Sequence, residues 1–345
     1  MSLPAGGLRF PRYRVLLPRT RLAYVHLRNL FTDAKRDRGA RVFGYVSVWL
    51  PDEFLLFFLE EGEIVNASAS PDGQRFNAIA IADAVAKVPR EAEYGEVCFN
   101  EADGELLAIM YWTQLLEPAA WPPEIAVDNP DSVLGFVHAT MHDGVLEVIH
   151  DEGRSYAVVR HGQIVRGYFC DDAFGPPEVE IRRLLGANDS WVRTRLWPVP
   201  SALPVQAAPA LIQAYRDLMS AAIKRLSASG VATAGAVAEH ARRHLVPQHP
   251  ALERLSLGTE PNSGGASATT TMGFGRTATS TTRDPIVEKR VLSAAIGAWL
   301  RELLWNAPPA DGTPPERFLE DLLRERRHMF QMAGLFDTLP WKLFV

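Results

Sequence analysis

The chain has little cysteine: only Cys98 and Cys170 occur in 345 residues. Two thiols are too few for a disulfide framework or a four-thiolate metal site. The longest apolar runs, such as 54–59, fall well short of the roughly 20 residues that a helix needs to cross a bilayer. The arginine-bearing first 21 residues contain neither the apolar block nor the small-residue cleavage site of a secretory signal. These absences predict a cytoplasmic protein with buried, reduced thiols and no membrane partner.

The sequence also lacks the short motifs of common enzyme chemistry. It has no Gly-x-Ser-x-Gly elbow, and Gly273–Arg276 has no Lys-Ser/Thr after it, as a phosphate loop requires. His240 and His244 are four residues apart on a predicted helix, a spacing that can bind zinc. However, Ala241 stands where the zinc protease motif has Glu, and the two arginines that follow would repel a cation. We therefore expect no catalytic residue, no cofactor and no metal ligand.

Charge is distributed unevenly along the chain. Residues 1–41 contain ten Lys and Arg against Asp33 and Asp37, although the whole chain has a net charge of −5. Clustered arginines can bind the phosphates of a nucleic acid. Residues 51–107, however, contain thirteen Asp and Glu, so acidic partners are available within the same predicted domain. We therefore favour pairing within the protein over a nucleic-acid partner.

The length of the chain and the change in its residue patterns along the sequence predict several domains of class α+β. A chain of 345 residues is long enough for two or three domains. We predict one or two small antiparallel β-meander modules with helices, followed by an α-helical bundle. The predicted boundaries are 1–120 for the first module, 121–197 for a second, degenerate one, 198–209 for a proline-rich linker, and 210–345 for the bundle, with a disordered Thr/Ser/Gly-rich loop at 258–283.

Apolar periodicity predicts the elements of the first module. Alternation and β-branched or aromatic enrichment indicate strands, whereas three- and four-residue steps indicate helices. The predicted helices are 25–38 and 76–88, and the predicted strands are 44–50, 53–59, 64–67, 96–100 and 106–112.

An internal repeat is the most informative feature of the sequence. Residues 144–167 align without gaps on residues 44–67, at an offset of 100. The identities pair Gly44 with Gly144, Val48 with Val148, Gly62 with Gly162, Ile64 with Ile164 and Val65 with Val165. Because glycine tolerates φ > 0 in tight turns, the shared glycines are predicted to be structural turns.

The last third of the chain has only helical patterns. Apolar residues recur at helical spacing over 211–226, and a second helix is predicted over 233–245. Asp284-Pro285 is typical of a helix start, and Thr313 to Glu316 has the pattern of a capping box that opens the last helix. Four such helices predict a bundle.

The pattern of the first module resembles PATAN-type domains, a bacterial regulatory family related to the N-terminus of PatA. The resemblance covers residues 22–115 and, more faintly, 131–185. It implies a regulatory domain that acts by protein–protein contact and has no assigned catalytic residues. The chain departs from the family pattern because it has no receiver domain and shows no clear helix before Gly144. The matching residues are Gly44, Val48, Phe57, Phe58, Gly62, Ile64, Val65, Ala67, Gly95, Val97 and Phe99.

Two functions remain open at this point. The first is a non-enzymatic bacterial regulatory or scaffold protein that contacts a protein partner. The alternative is an enzyme of unfamiliar type, with acid–base pairs near the second meander. The residues that suggest the alternative are His138, His142, His150, His161, Asp143, Asp151 and Glu152.

Overall fold

The computed structural model describes residues 7–36, 42–73, 75–88, 94–126, 129–150, 153–171, 173, 175–186, 192–255 and 286–343. Two antiparallel sheets and a C-terminal helical region confirm the predicted α+β class. The chain divides into two compact units, Met1–Pro204 and Val205–Val345. Their boundary lies inside the segment 198–209 that the sequence marks as a linker. The predicted loop 258–283 lies outside the described residues.

The first module of the N-terminal unit contains a six-stranded antiparallel sheet. Its strand order is β1-β6-β2-β3-β4-β5. The elements are β1 (Arg14–Arg21), α1 (Leu27–Arg36), β2 (Gly44–Trp49), β3 (Phe54–Glu60), β4 (Glu63–Ser70), β5 (Asn77–Ala78), α2 (Ile81–Lys87), β6 (Glu96–Glu101) and α3 (Gly104–Leu115).

Strand β3 lies at the centre of this module and is buried on both faces. All its residues from Phe54 to Leu59 have 0% exposure, which explains its unbroken apolar run. On one face, Leu55, Phe57 and Leu59 form a core cluster with residues of α1 and α2. Phe31 of α1 packs on Phe57, with ring centroids 5.2 Å apart.

Residues 106–112, predicted as a strand, form the middle of helix α3 instead. Asp103 caps this helix, since its carboxylate accepts a hydrogen bond of 2.7 Å from the backbone N–H of Leu106. Eight of its twelve residues are buried. A helix buried all round has no amphipathic stripe, so its apolar run is easily mistaken for a buried strand.

The second module contains a four-stranded antiparallel sheet in the order β10-β7-β8-β9. Its elements are α4 (Pro130–Ala139), β7 (Gly144–His150), β8 (Gly153–Arg160), β9 (Gln163–Tyr168), α5 (Pro177–Leu185) and β10 (Val192–Trp197). Helix α4 corrects the reading that no clear helix precedes Gly144. The Asn129 side chain accepts hydrogen bonds from the N–H groups of Asp131 and Ser132, and Pro130 occupies the first turn, as is common at helix starts.

The two modules share one topology. The order β6-β2-β3-β4 in the first sheet corresponds to β10-β7-β8-β9 in the second, with a helix before and after each meander. The hairpins β3–β4 and β8–β9 turn through residue pairs with φ > 0, at 51° and 78° for Glu61-Gly62 and 49° and 74° for His161-Gly162. Each hairpin also has a register shift at the same place, after Phe58 and after Val158. The aligned segments therefore fold alike down to the turn and the bulge.

Gly44 and Gly144 differ from the prediction that they are turn residues. They are the first residues of β2 and β7. A Cβ at Gly44 would collide with the carbonyl oxygen of Asn100, and one at Gly144 with that of Trp197. Glycine at these positions therefore allows a close approach of the neighbouring strand.

The C-terminal unit is helical. Its helices are α6 (Pro209–Ala228), α7 (Ala234–Leu245), α8 (Lys289–Asn306), α9 (Pro315–Leu323) and α10 (Arg327–Met332). Trp299 of α8 is fully buried and its indole N–H donates to the carbonyl of Ala238 at 3.0 Å. In the ranges that the structure describes, no helix is long and apolar enough to cross a membrane.

Two helix-start predictions in this unit have different outcomes. The capping box at Thr313 does not form: Pro314 is the N-cap of α9, and no side chain caps the helix. The backbone N–H of Thr313 instead donates to Asp311 at 2.9 Å, because the extended Pro314 moves the helix start one residue further on. Asp284-Pro285 lies outside the described residues, and the described helix α8 begins at Lys289.

Candidate functional site

The N-terminal segment, residues 8–12, contacts both modules of the N-terminal unit. Arg9 forms a parallel bridge with Gly153 of β8, and its carbonyl accepts a hydrogen bond of 3.0 Å from the N–H of Arg154. On the other side, the hydroxyl of Tyr45 donates to the carbonyl of Phe10 at 3.1 Å. The segment is thereby held between β8 and the first sheet.

A buried ion pair lies beside this segment. Nη1 of Arg154 is 3.2 Å from Oε1 of Glu147, and these side chains are 3% and 0% exposed. The indole of Trp197 donates to the second oxygen of Glu147 at 3.0 Å. Arg154 also donates to the carbonyl of Gly73 at 3.3 Å and lies over the Phe76 ring, 5.3 Å from its centroid. The pair therefore connects the second sheet to the first module.

A pocket of about 270 Å³ opens on the face of the first sheet that β1 and the N-terminal segment border. We call it the N-terminal pocket. Its floor consists of Ser47 on β2 and Cys98 and Asn100 on β6, since Ser47 pairs with Cys98 in the register. Its other lining residues are Leu8, Arg9, Phe10, Arg12, Val15, Pro18, Arg19, Tyr45 and Trp49.

The charges around the N-terminal pocket are of one sign. Among the described residues that line it, three are arginines and none is acidic. Arg19 stacks 4.3 Å above the Trp49 ring and donates to Glu96 at 2.6 Å, and Arg9 pairs with Asp171. Arg12 donates to the carbonyl of Cys170, at 3.5 Å. Within the described part of the chain, Arg12 has no carboxylate partner.

The thiol on the pocket floor is not activated. Burial raises the pKa of Cys98, and this outweighs the opposing effects of its hydrogen bond to Asn100 and of the positive charge of Arg12 and Arg19. A raised pKa keeps the thiol protonated at neutral pH. Cys98 is therefore a lining group and not a poised nucleophile.

A tyrosine–carboxylate network joins β1, α3 and β9. The hydroxyl of Tyr168 donates to Glu105 at 2.7 Å, and the hydroxyl of Tyr13 donates to Asp103. Arg166 is 3.0 Å from the same Glu105 carboxylate. Partial burial, followed by the hydrogen bond to Asp103, raises the pKa of Tyr13 to about 12. The network therefore holds one end of β9 against the first module.

The edge strands of the two sheets differ. In the first module, β5 pairs with β4, placing Ala78 opposite Ser68 and Asn77 opposite Ala69. In the second module, β9 is the last strand of its sheet, and no other strand in the described ranges pairs with its outer side. Val165 on β9 is 57% exposed, whereas the aligned Val65 on β4 is 7% exposed. We call Gln163–Tyr168 the open edge.

The predicted histidines do not meet in one site. His138 lines a cleft of about 480 Å³ together with Asp131, Glu178 and Arg182, and Arg182 pairs with both of those carboxylates. His142 and His161 lie near the same end of the sheet. Nε2 of His142 is 3.2 Å from the carbonyl of Trp197, and the backbone N–H of His161 donates to Asp143 at 2.8 Å.

His150 is the last residue of β7, at the opposite end of the strand from Gly144. A strand of seven residues spans roughly 20 Å, so His150 is separated from the histidines near Gly144. Asp151 and Glu152 lie outside the described residues. The predicted acid–base cluster is therefore split between two ends of the second sheet.

His240 and His244 stack on one face of α7, with ring centroids 6.4 Å apart. Nδ1 of His244 is 2.8 Å from Glu302. Glu239 binds Arg242 and Arg243, whose hydrogen bonds lower its pKa to about 2. No group of three or more His, Cys, Asp and Glu side chains that could hold a metal ion occurs in the part of the chain that the structure describes.

Sequence reasoning identified neither the N-terminal pocket nor the open edge. A signal for the pocket exists in Ser47 and Asn100, which are polar residues inside apolar strands. The open edge leaves no signal within β9 itself, because it depends on whether a further strand pairs with its outer side. Comparisons with protein-family models, with curated proteins and with solved structures find no match.

Proposed function

We propose that this chain is a non-enzymatic bacterial regulatory or scaffold protein that acts through protein–protein contacts, with the open edge of the second module as a contact site. The observation that carries the proposal is the difference between the two edges. The two-residue strand β5 pairs with the outer side of β4 at Ser68 and Ala69, whereas β9 ends its sheet and exposes Val165. An unpaired edge presents backbone N–H and C=O groups to which a strand of another chain can add.

The first module supports this use of the open edge. Its β4 has the same bulge as β9, yet it pairs with β5 beyond the bulge, at Ser68 and Ala69. By the offset of 100, the corresponding positions in the second module are Tyr168 and Phe169. The bulge alone therefore does not prevent a strand from adding to this hairpin. Main-chain hydrogen bonds would supply affinity, and exposed side chains such as Val165 would supply specificity.

We also propose that both modules are PATAN-type domains. The glycines and apolar residues that carry the resemblance lie on β2, β3, β4 and β6, in the turn at Gly62, and at Gly95 directly before β6. The second module repeats the order of these elements, including a helix before the meander. The resemblance implies a regulatory role by protein contact, in keeping with the open edge.

A matched pair of substitutions tests the contact site. Val165→Asp places a charge on the open edge, and Val179→Asp places the same charge on α5 of the same module. The two valines are 57% and 54% exposed, so neither change should unfold the protein. The affinity-tagged wild-type chain, at native expression, should recover a reproducible partner from the cell extract. Val165→Asp should lose that partner, and Val179→Asp should retain it.

Two outcomes would contradict the proposal. Recovery of no reproducible partner by the wild-type chain argues against a contact function altogether. Equal recovery of the partner by Val165→Asp and by wild type would show that the contact site is not the open edge. Melting temperatures of both variants, equal to that of wild type, show that any loss is a loss of binding.

A further inference from the structure

We propose that the N-terminal pocket binds a small organic anion, with its charged group on Arg12 and its body against the apolar walls. The inference is independent of the contact function of the second module, because the pocket lies on the first sheet. The shared chemistry of the ligand is a carboxylate or phosphate group attached to a compact apolar body.

The first reason is the unbalanced positive charge at the mouth of the pocket. Arg9 and Arg19 each have a carboxylate partner, whereas Arg12 has, among the residues that the structure describes, only the carbonyl of Cys170 at 3.5 Å. The guanidinium fork matches carboxylate and phosphate oxygens in a bidentate geometry. None of the described lining residues is acidic; the nearby carboxylates of Asp171 and Glu96 are paired with Arg9 and Arg19, which leaves Arg12 to attract an anion.

The second reason is an unused hydroxyl on the pocket floor. Ser47 is 2% exposed and lines the pocket. Within the described residues its hydroxyl has no hydrogen-bond partner. Asn100, 5% exposed, uses its side-chain oxygen for the Cys98 thiol at 3.5 Å, and its side-chain nitrogen has no partner in the described ranges. Neither atom is among the fully buried, unpartnered side-chain atoms of the described residues, so both are open to the pocket and can donate to a molecule bound there.

The third reason is the shape and lining of the pocket. Ligand sites combine apolar and aromatic walls with a few convergent polar groups. Here Phe10, Val15 and Trp49 supply walls, while Ser47 and Asn100 supply the polar floor. A volume of about 270 Å³ is near the lower limit of known ligand pockets. The size favours a compact molecule with a single ring or short chain.

The test uses three probes on the full chain: benzoate, phenyl phosphate and inorganic phosphate, measured by isothermal titration calorimetry. The matched variants are Arg12→Gln in the pocket and Arg21→Gln on β1 outside it. Benzoate or phenyl phosphate should bind wild type, and Arg12→Gln should weaken that binding about tenfold or more, as expected for a charge-assisted hydrogen bond. Arg21→Gln should bind like wild type. The better of the two organic probes identifies the charged group.

Cys98 supplies a second readout that reports the location of the probe. Alkylation of Cys98 by iodoacetamide, followed by peptide mass spectrometry, should slow when the bound probe is present. Cys170, which is 5% exposed and outside the pocket lining, is the internal reference. Protection of Cys98 with an unchanged rate at Cys170 places the probe in the N-terminal pocket.

Several results would overturn the inference. The site is not an anion site if neither organic probe binds wild type or if Arg12→Gln binds as wild type does. An equal loss in Arg21→Gln would show a general charge effect and not a pocket. Inorganic phosphate that binds as tightly as phenyl phosphate would show that the apolar walls contribute nothing, which rejects an organic ligand.

Discussion

The two modules of the N-terminal unit have the same meander, turn and bulge but differ at their edges. In the first sheet, β1 pairs with β6 on one side and β5 pairs with β4 on the other. In the second sheet, β10 and β9 are the outer strands. Strand topology and edge pairing are therefore separate properties, because β1 and the short β5 add to the edges of the first sheet without altering its hairpins.

The modules also differ on the face of each sheet opposite the helices that flank the meander, which are α1 and α2 in the first module and α4 and α5 in the second. The positions of Ser47 and Phe54 in the first sheet correspond to Glu147 and Arg154 in the second, by the offset of 100. The first sheet therefore has a pocket floor and an aromatic residue where the second has an ion pair. The same strand topology therefore carries the N-terminal pocket in the first module and a buried ion pair in the second.

The largest expected effect comes from removing the ion pair of the second module. Glu147→Ala leaves the guanidinium of Arg154 buried without its carboxylate, and breaking a buried pair in this way costs about 3–5 kcal/mol of unfolding free energy. The matched change Ser47→Ala in the first module removes an unbonded hydroxyl and should cost less than about 1 kcal/mol. Urea denaturation of both variants measures the free energies. Equal small losses would show that the ion pair contributes little to the connection between the modules.

The next effect tests whether the two hairpins are equivalent. Gly62→Val and Gly162→Val each place a β-branched residue at φ > 0 and should destabilise the protein by about 1–3 kcal/mol. At Gly162 the added Cβ would also lie 2.8 Å from the carbonyl oxygen of His138, which adds to the cost of that variant. Thermal melting compares the two. Melting temperatures equal to that of wild type would contradict the shared turn geometry.

The smallest effect concerns β1, the strand that pairs with β6 at one edge of the first sheet. The pKa of Tyr13 is raised from 10.0 to about 12, first by burial and then by Asp103. Its contribution to stability is therefore present below pH 10 and is lost as the pH rises from 10 towards 12. In a rapid pH titration followed by ultraviolet absorbance, the difference between wild type and Tyr13→Phe should have its midpoint near pH 12.

Asp103→Asn separates the two causes of this shift. Asparagine retains the helix cap but removes the negative charge, so the midpoint of Tyr13 should fall while the contribution of burial remains. A midpoint of Tyr13 near pH 10 in the wild-type chain would show that β1 does not form the tyrosine–carboxylate network.

The sequence predicted the elements whose patterns are local. The strand pairs of both meanders follow from alternation, apolar runs and the glycines at positions 62 and 162. It missed α4, although Asn129 and Pro130 are a recognisable helix start, because its apolar stripe is short. It misread α3 because a helix buried on all sides has no stripe. The capping box at Thr313 failed because two consecutive prolines moved the start of α9.

The candidate sites were less predictable than the fold. The histidines from 138 to 161 are close in sequence, but β7 carries His150 to the far end of the sheet. The N-terminal pocket combines residues of the N-terminal segment, β1, β2 and β6. Strand pairing between β2 and β6 brings its floor together across about fifty residues of chain, a separation that no local pattern describes.

The hairpins, their turns and the class of the fold follow from the order of the amino acids, because these features depend on side-chain periodicity and on backbone freedom within a few residues. The tertiary structure alone decided which edge is open, which polar residues are buried and which arginine is unpaired. Those outcomes depend on contacts between distant residues, such as Arg154 with Gly73 and Trp197 with Glu147. The burial of a polar side chain and the pairing of an arginine depend on residues from several strands, so they are fixed only in the folded sheet.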